Sequence, residues 1–263
     1  MAITEYSPQI VGQAIERNDT EILVLAAEKG DKPFSIEQDI SWVINKPHWP
    51  SFLFNPRFKV DSIELRLAQL GRSIEERRLP PIMKIGPSAL PVDLINRLNQ
   101  VGCKSIYNPA GMAAPLATIR TDFAQPAGLA IKKVTDPTVL QEWISLSSGL
   151  DFTLFSHLLS EPNLQFYLGY LDGKAVATSM LFLSSDVAGL YFVFVAPECR
   201  NQGIGTAITL ASLVEARSVG YEVAVLQASP LGESIYQRIG FEEFFRFHYY
   251  QWKNCTYESF RDS

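Results

Sequence analysis

Six residues, Arg200 to Gly205 (Arg-Asn-Gln-Gly-Ile-Gly), constrain this chain more than any other stretch. They follow an apolar run, Leu190 to Val195, and a turn at Ala196 and Pro197. They open a segment in which Ile204, Ala207, Ile208, Ala211 and Val214 recur at helical spacing, ending at Gly220, a residue suited to the C′ position. A strand that feeds a glycine turn into a helix start belongs in a layered α/β fold. It also makes an anion site, because the first-turn N–H groups lack helical acceptors and the helix dipole adds partial positive charge. Gly203 and Gly205 carry no Cβ, so a phosphate could approach the backbone closely.

The phosphate ligand is narrowed by what the loop lacks. A Walker A loop ends in Gly-Lys-Ser/Thr, whereas this one ends Gly205-Thr206-Ala207; a dinucleotide fingerprint needs a small residue where Ile208 stands. Two glycines in a β-α turn also occur for purely geometric reasons. The downstream sequence separates these readings. A second buried strand, Tyr221 to Gln227, leads into Ala228 to Phe241, where a short helix carries Tyr236 and ends in Gly240-Phe241. Val195-Ala-Pro197 before Arg200-x-x-Gly203-x-Gly205, followed by Tyr236 ahead of Gly-Phe, resembles the GNAT superfamily of N-acetyltransferases. The resemblance covers roughly residues 128 to 252.

Composition excludes several classes. A net charge of −5 and a pI near 5.3 argue against a nucleic-acid binder, which needs a basic face. The start, Met1 to Pro8, has neither a basic nor an apolar leader region, and the most apolar stretch, Val176 to Val195, is interrupted by Ser184-Ser185-Asp186. The three cysteines, Cys103, Cys199 and Cys255, lie far apart, as do the three histidines, His48, His157 and His248, so no metal site is expected. These features predict a cytoplasmic protein with no membrane or nucleic-acid partner.

The second half reads as one strand (128–134), two helices (138–147 and 152–160), two strands joined by the Asp172-Gly173 hairpin, a third strand, the glycine loop and long helix, a strand, the Tyr236 helix and a last aromatic strand, Glu243 to Trp252. That is the GNAT order: a mixed α/β (α+β) fold with a mixed sheet covered by helices. The first half shows helices at 9–27, 63–78 and 91–101 and short strands at 40–44, 82–85 and 105–107. It overlays on the second at an offset of 138 residues, which puts Gly102 on Gly240. Its counterpart of the glycine loop, Phe58 to Ile63, has no glycine, and Leu98 stands in place of the tyrosine. The expectation is a tandem protein: a degenerate GNAT-like domain over 1–120, a linker of roughly Ala113 to Ala127, an acetyltransferase domain over 128–252 and a polar tail over 253–263.

The resemblance implies a site. The backbone of Val193, Phe194 and Val195 would pair with the pantetheine of acetyl-CoA, and an N–H there would polarise the thioester carbonyl. Arg200, Asn201, Gln202, Gly203, Ile204, Gly205 and Thr206 would hold the pyrophosphate. Tyr236 would protonate the departing thiolate. Ser229 stands where many family members have Asn. The strands Leu190–Val195 and Val223–Leu226 carry no carboxylate, so a general base is missing; Glu233, His248, Tyr191 or water are the remaining candidates. The implied reaction is transfer of an acetyl group from acetyl-CoA to a primary amine of a small molecule or peptide, without a metal, by a monomer or homodimer. The groove for the amine would lie between residues 150–155 and 244–250, with Phe152 and Phe155 on its rim or in the core. A non-catalytic acyl-CoA-binding sensor, and a scaffold that binds no coenzyme A, are the alternatives.

Overall fold

The structure, a computed structural model, describes residues 6–147, 149–184 and 187–253. The tail beyond Lys253, with Cys255, and the residues Ser185 and Asp186 lie outside the described residues.

The chain opens with a long helix, α1 (Pro8–Lys29), which Pro8 starts at its first turn. Three short strands follow, β1 (Phe34–Ile36), β2 (Ser41–Val43) and β3 (Phe52–Phe54), then α2 (Ile63–Glu75), β4 (Ile82–Ile85), α3 (Leu94–Gln100), β5 (Lys104–Tyr107) and β6 (Ala110–Pro115). The second half contains β7 (Leu129–Lys133), α4 (Pro137–Ser145), α5 (Phe152–Leu158), β8 (Leu164–Leu171), β9 (Lys174–Leu183), β10 (Ala188–Val195), α6 (Ile204–Ser218), β11 (Val223–Ala228), α7 (Glu233–Ile239), β12 (Glu242–Arg246) and β13 (His248–Gln251). Asp136 and Asp151 cap α4 and α5, each accepting from two first-turn N–H groups.

Two mixed sheets result. One has the order β1-β2-β3-β4-β13-β5 and the other β12-β6-β11-β10-β9-β8-β7. Both repeat one unit. A parallel pair, β3/β4 or β10/β11, is joined through a helix, α2 or α6. A short helix, α3 or α7, then leads to an outer strand, β5 or β12. In each sheet the strand between the parallel pair and the outer strand comes from the other half. β13 lies antiparallel between β4 and β5, and β6 lies antiparallel between β11 and β12. The chain crosses between sheets at two adjacent points, where Phe247 N–H donates to the Pro109 carbonyl at 3.0 Å.

Two expectations are revised here. The aromatic stretch Glu243 to Trp252 is not one strand: it breaks at Phe247 and serves both sheets. The connection expected to begin at Ala113 begins after Pro115, because Ala110–Pro115 is the exchanged strand. Its small residues suit that place, since a Cβ on Gly111 would stand 2.7 Å from the Phe245 ring.

The core follows the layers. α6 and α7 cover one face of the second sheet, with Ile204, Ile208, Leu213, Tyr236 and Ile239 packed on Leu190, Ala224 and Leu226. On the opposite face, Val11, Ala14 and Ile15 of α1 pack with Val223 and Val225 and also with Phe52, Phe54 and Ile82 of the first sheet. α1 is therefore shared between the two sheets. Among its buried residues are three polar ones, Glu16, Asn18 and Asp19.

Candidate active site

β10 and β11 pair in parallel through Ala188↔Ala224, Gly189↔Val225 and Leu190↔Leu226, and then part. β11 continues along β6 and β10 along β9. Beyond this fork, the edge of β10 facing β11 has no ladder partner among the described residues. A bulge between Tyr191 and Phe194 adds a residue to β10, and Phe192 takes φ +50, a left-handed conformation uncommon in a strand. The Phe192 carbonyl accepts from Thr178 Oγ1 at 2.8 Å, which anchors the bulge to β9.

The glycine loop stands at the open end of the fork. Asn201 (φ +60) and Gly203 (φ +81) both turn left-handed, and Gly203 is the N-cap residue of α6. Asn201, Gln202 and Gly203 are exposed, whereas Ile204 and Thr206 are buried. Gly205 sits where three elements meet: a Cβ there would reach Ile235 of α7 at 3.3 Å and Val195 of β10 at 3.6 Å. The loop, the end of the bulged strand and the tyrosine helix thus converge on one point. Arg200 folds back on the strand, with Nε donating to the Val195 carbonyl at 3.1 Å and the guanidinium over the Phe194 ring. Val193, Phe194 and Val195 are half-buried along the fork.

Tyr236 is buried in α7, edge-on to Phe241. Burial, and after it the neighbouring Tyr107, holds its phenol above the ordinary value, so it stays protonated at neutral pH. Among the described residues its hydroxyl has no hydrogen-bond partner, which leaves the proton available to a ligand. Ser229 is half-buried, and its carbonyl starts α7 by accepting from Gly232 and Glu233 N–H.

The base candidates are differently placed. Glu233 is held in a two-pronged pair with Arg246, at 2.9 and 3.1 Å. His248 lies on β13 in the first sheet, where burial lowers its pKa. Tyr191 donates to Asn18 Oδ1 at 2.5 Å, and burial raises its pKa well above the usual phenol range. Phe155 belongs to the core, while Phe152 is exposed.

Sequence reasoning missed the part played by the first half. Asp19 accepts from Gln227 Nε2 at 2.5 Å and pairs with Lys84. The Gln227 side chain also accepts from Tyr249 at 3.0 Å. Lys84 is buried, which lowers its pKa against the opposing pull of Asp19, and it lies over the rings of Phe247 and Tyr249. The available signal was the run of polar residues, Glu16 to Glu21, set between the apolar stretches of α1.

The first half's own fork is built differently. β3 and β4 pair at Leu53↔Met83 and rejoin at Arg57↔Leu90, with Phe58 N–H donating to the Leu90 carbonyl at 3.0 Å and Leu90 N–H to the Pro56 carbonyl at 2.9 Å. Between these points the Glu16 carboxylate accepts from Ser88 N–H at 3.2 Å, and Asn55 bonds Thr20 at 3.1 Å. No glycine loop precedes α2; a single 3-10 turn, Val60–Ser62, takes its place.

Comparison with known proteins agrees with this architecture. Residues 135–241 match the model of the acetyltransferase (GNAT) family. Three solved structures share the fold. A GCN5-related N-acetyltransferase from Kribbella flavida superimposes with a TM-score of 0.73 at 16% identity, covering 96% of this chain and 97% of that one. A GCN5-related N-acetyltransferase from Sphaerobacter thermophilus gives 0.59 at 16% identity, covering 93% and 92%. A tandem GNAT protein from the clavulanic acid biosynthesis pathway gives 0.57 at 13% identity, covering 82% and 79%. No curated protein sequence matches the chain. Among the described residues no helix is long and apolar enough to cross a membrane, and no group of three His, Cys, Asp or Glu is placed to hold a metal ion.

Proposed function

We propose that the chain transfers the acetyl group of acetyl-CoA to a primary amine of a small molecule or peptide, at the fork between β10 and β11. One observation carries this reading: the strands part after Leu190 and Leu226 at the point where the Gly203–Gly205 turn and the Tyr236 helix converge. The pantetheine pairs with the free edge of Val193–Val195. The pyrophosphate sits on the N–H groups of residues 201–206, with the α6 dipole behind them. Arg200 orders the strand end, and Ser229 stands beside the cofactor arm at the start of α7. The amine attacks the thioester carbon directly, and the developing oxyanion is met by backbone N–H at the bulge. Collapse of the tetrahedral intermediate breaks the C–S bond. Tyr236 donates its proton to the departing thiolate, and the amine's proton passes to water.

The first half acts as a degenerate copy with no acetyl-CoA site of its own. The rejoined strands at Arg57 and Leu90 and the Glu16 side chain between them support this. Calorimetric titration with acetyl-CoA tests both claims: one site per chain is expected. Two sites would refute the degenerate half, and no binding at millimolar ligand would refute the acetyltransferase reading. The alternative of a non-catalytic acyl-CoA sensor draws on one observation: Glu233 at the start of α7 and Asp19 against Gln227 are already paired. Thiol release in the presence of candidate amines separates the two.

A further inference from the structure

Asn18 and Asp19, neighbours on α1, each hold one arm of the fork. The last paired residues are Leu190 and Leu226. The next residue on β10 is Tyr191, whose hydroxyl donates to Asn18 Oδ1 at 2.5 Å. The next residue on β11 is Gln227, whose amide donates to Asp19 Oδ1 at 2.5 Å. Asn18 is 1% exposed and Asp19 6%. Both are fixed from behind: Asn18 Nδ2 donates to Ser184 Oγ at 3.0 Å, and Asp19 pairs with the buried Lys84 of β4. The approach is close, because a Cβ on Gly189 would fall 2.0 Å from Asn18 Oδ1.

Two parallel strands that part within a sheet leave backbone donors and acceptors unpaired, and re-pairing would recover them. The first half shows that outcome, with its strands meeting again at Arg57 and Leu90. A rigid helix that bonds the first residue beyond the ladder on each strand resists it in the second half. We propose that Asn18 and Asp19 are positioning residues that set the opening of the β10/β11 fork, so that the N-terminal half gauges the acyl-CoA slot of the C-terminal half. This rests on the acetyl-CoA reading above. It predicts that breaking the grip weakens acetyl-CoA binding without touching any group that contacts the ligand.

The test uses the full chain. Tyr191→Phe removes the hydroxyl with little change of shape, and Asn18→Ala removes its acceptor. Each is expected to raise the acetyl-CoA dissociation constant about fivefold, the effect of one lost hydrogen bond, and the double variant to lose no more than either alone. The KM for acetyl-CoA should rise while kcat changes less than about twofold. Ile74→Ala, in the core under α2, serves as a control of comparable thermal destabilisation and should bind acetyl-CoA as the wild type does. Wild-type affinity in Tyr191→Phe, or equal weakening in Ile74→Ala, would overturn the proposal while leaving the acetyl-CoA site standing. Absence of binding by the wild type would remove both.

Discussion

The indole of Trp49, from the first half, stands edge-on to the ring of Phe192 on the β10 bulge, with centroids 5.1 Å apart and planes at 88°. It also meets Phe155 of α5 at 5.9 Å. Phe192 holds a positive φ, so its conformation depends on packing around the ring. Trp49→Ala should therefore cost about 2 kcal/mol of stability. If the amine sits beside residues 150–155, where Trp49 meets Phe155, Trp49→Ala should also raise the KM for the amine more than Trp49→Phe does. Thermal unfolding and steady-state kinetics on the two variants check this.

Tyr236→Phe should lower kcat about a hundredfold and leave acetyl-CoA affinity unchanged. The pH profile adds a second check. Burial first, then Tyr107, raises the Tyr236 pKa, so the donor form persists as pH rises through the neutral range and beyond the ordinary phenol value. Turnover should climb from about pH 7 to about pH 9 as the acceptor amine deprotonates, with no falling limb from the tyrosine. A fall with a midpoint near pH 8 would assign the acid role to another group.

Gly203→Asp should abolish acetyl-CoA binding, a loss of at least about a hundredfold, because a carboxylate would face the pyrophosphate at the start of α6. The left-handed φ of +81 adds about 1 kcal/mol of strain for any side chain there. Circular dichroism should show the fold retained, since the position is exposed.

The second half was legible because its elements are long and strongly patterned: α6 and the strands from β8 to β11 lie where their apolar periodicity predicts. The placement of the glycine loop ahead of α6 and of Tyr236 on a short helix could be read because both belong to short motifs in fixed order. The exchange of β6 and β13 was not legible. Ala110–Pro115 lacks the β-branched and aromatic residues that mark a strand, and its pairing comes from residues more than 100 positions away. Glu243–Trp252 has continuous strand character, and only the sheet partners reveal the break at Phe247. Nor could Asn18 and Asp19 be assigned to the fork, since no local pattern says which strand a polar residue on a helix will meet.

Glu16 is a carboxylate held above its usual pKa, chiefly by burial, with the Ser88 bonds opposing. A folded-state pKa raised above the unfolded value means the folded chain binds this proton more tightly. The group therefore favours folding at acidic pH, and that contribution is lost as pH rises through the folded pKa. Glu16→Gln keeps an acceptor for Ser88 N–H and removes the ionisation. Its melting temperature should exceed that of the wild type at pH 7, by a margin that shrinks towards pH 4. Equal margins at both pH values would show that the carboxylate's charge is not what burial opposes.

Strand exchange makes the two halves mutually dependent. A fragment of residues 123–263 lacks β6, which leaves β11 and β12 without the strand that joins them, and it lacks α1, which covers one face of its sheet. A fragment of residues 1–122 lacks β13, so β4 and β5 lose theirs. Unpaired interior edges with an uncovered apolar face favour aggregation over folding. Each fragment expressed alone should be insoluble. The two expressed together should assemble and recover acetyl-CoA binding, because the cut after Asp122 falls in an exposed connection and removes no strand. A soluble, monomeric 123–263 fragment that bound acetyl-CoA with wild-type affinity would show that β11, β12 and the fork can be held without the first half.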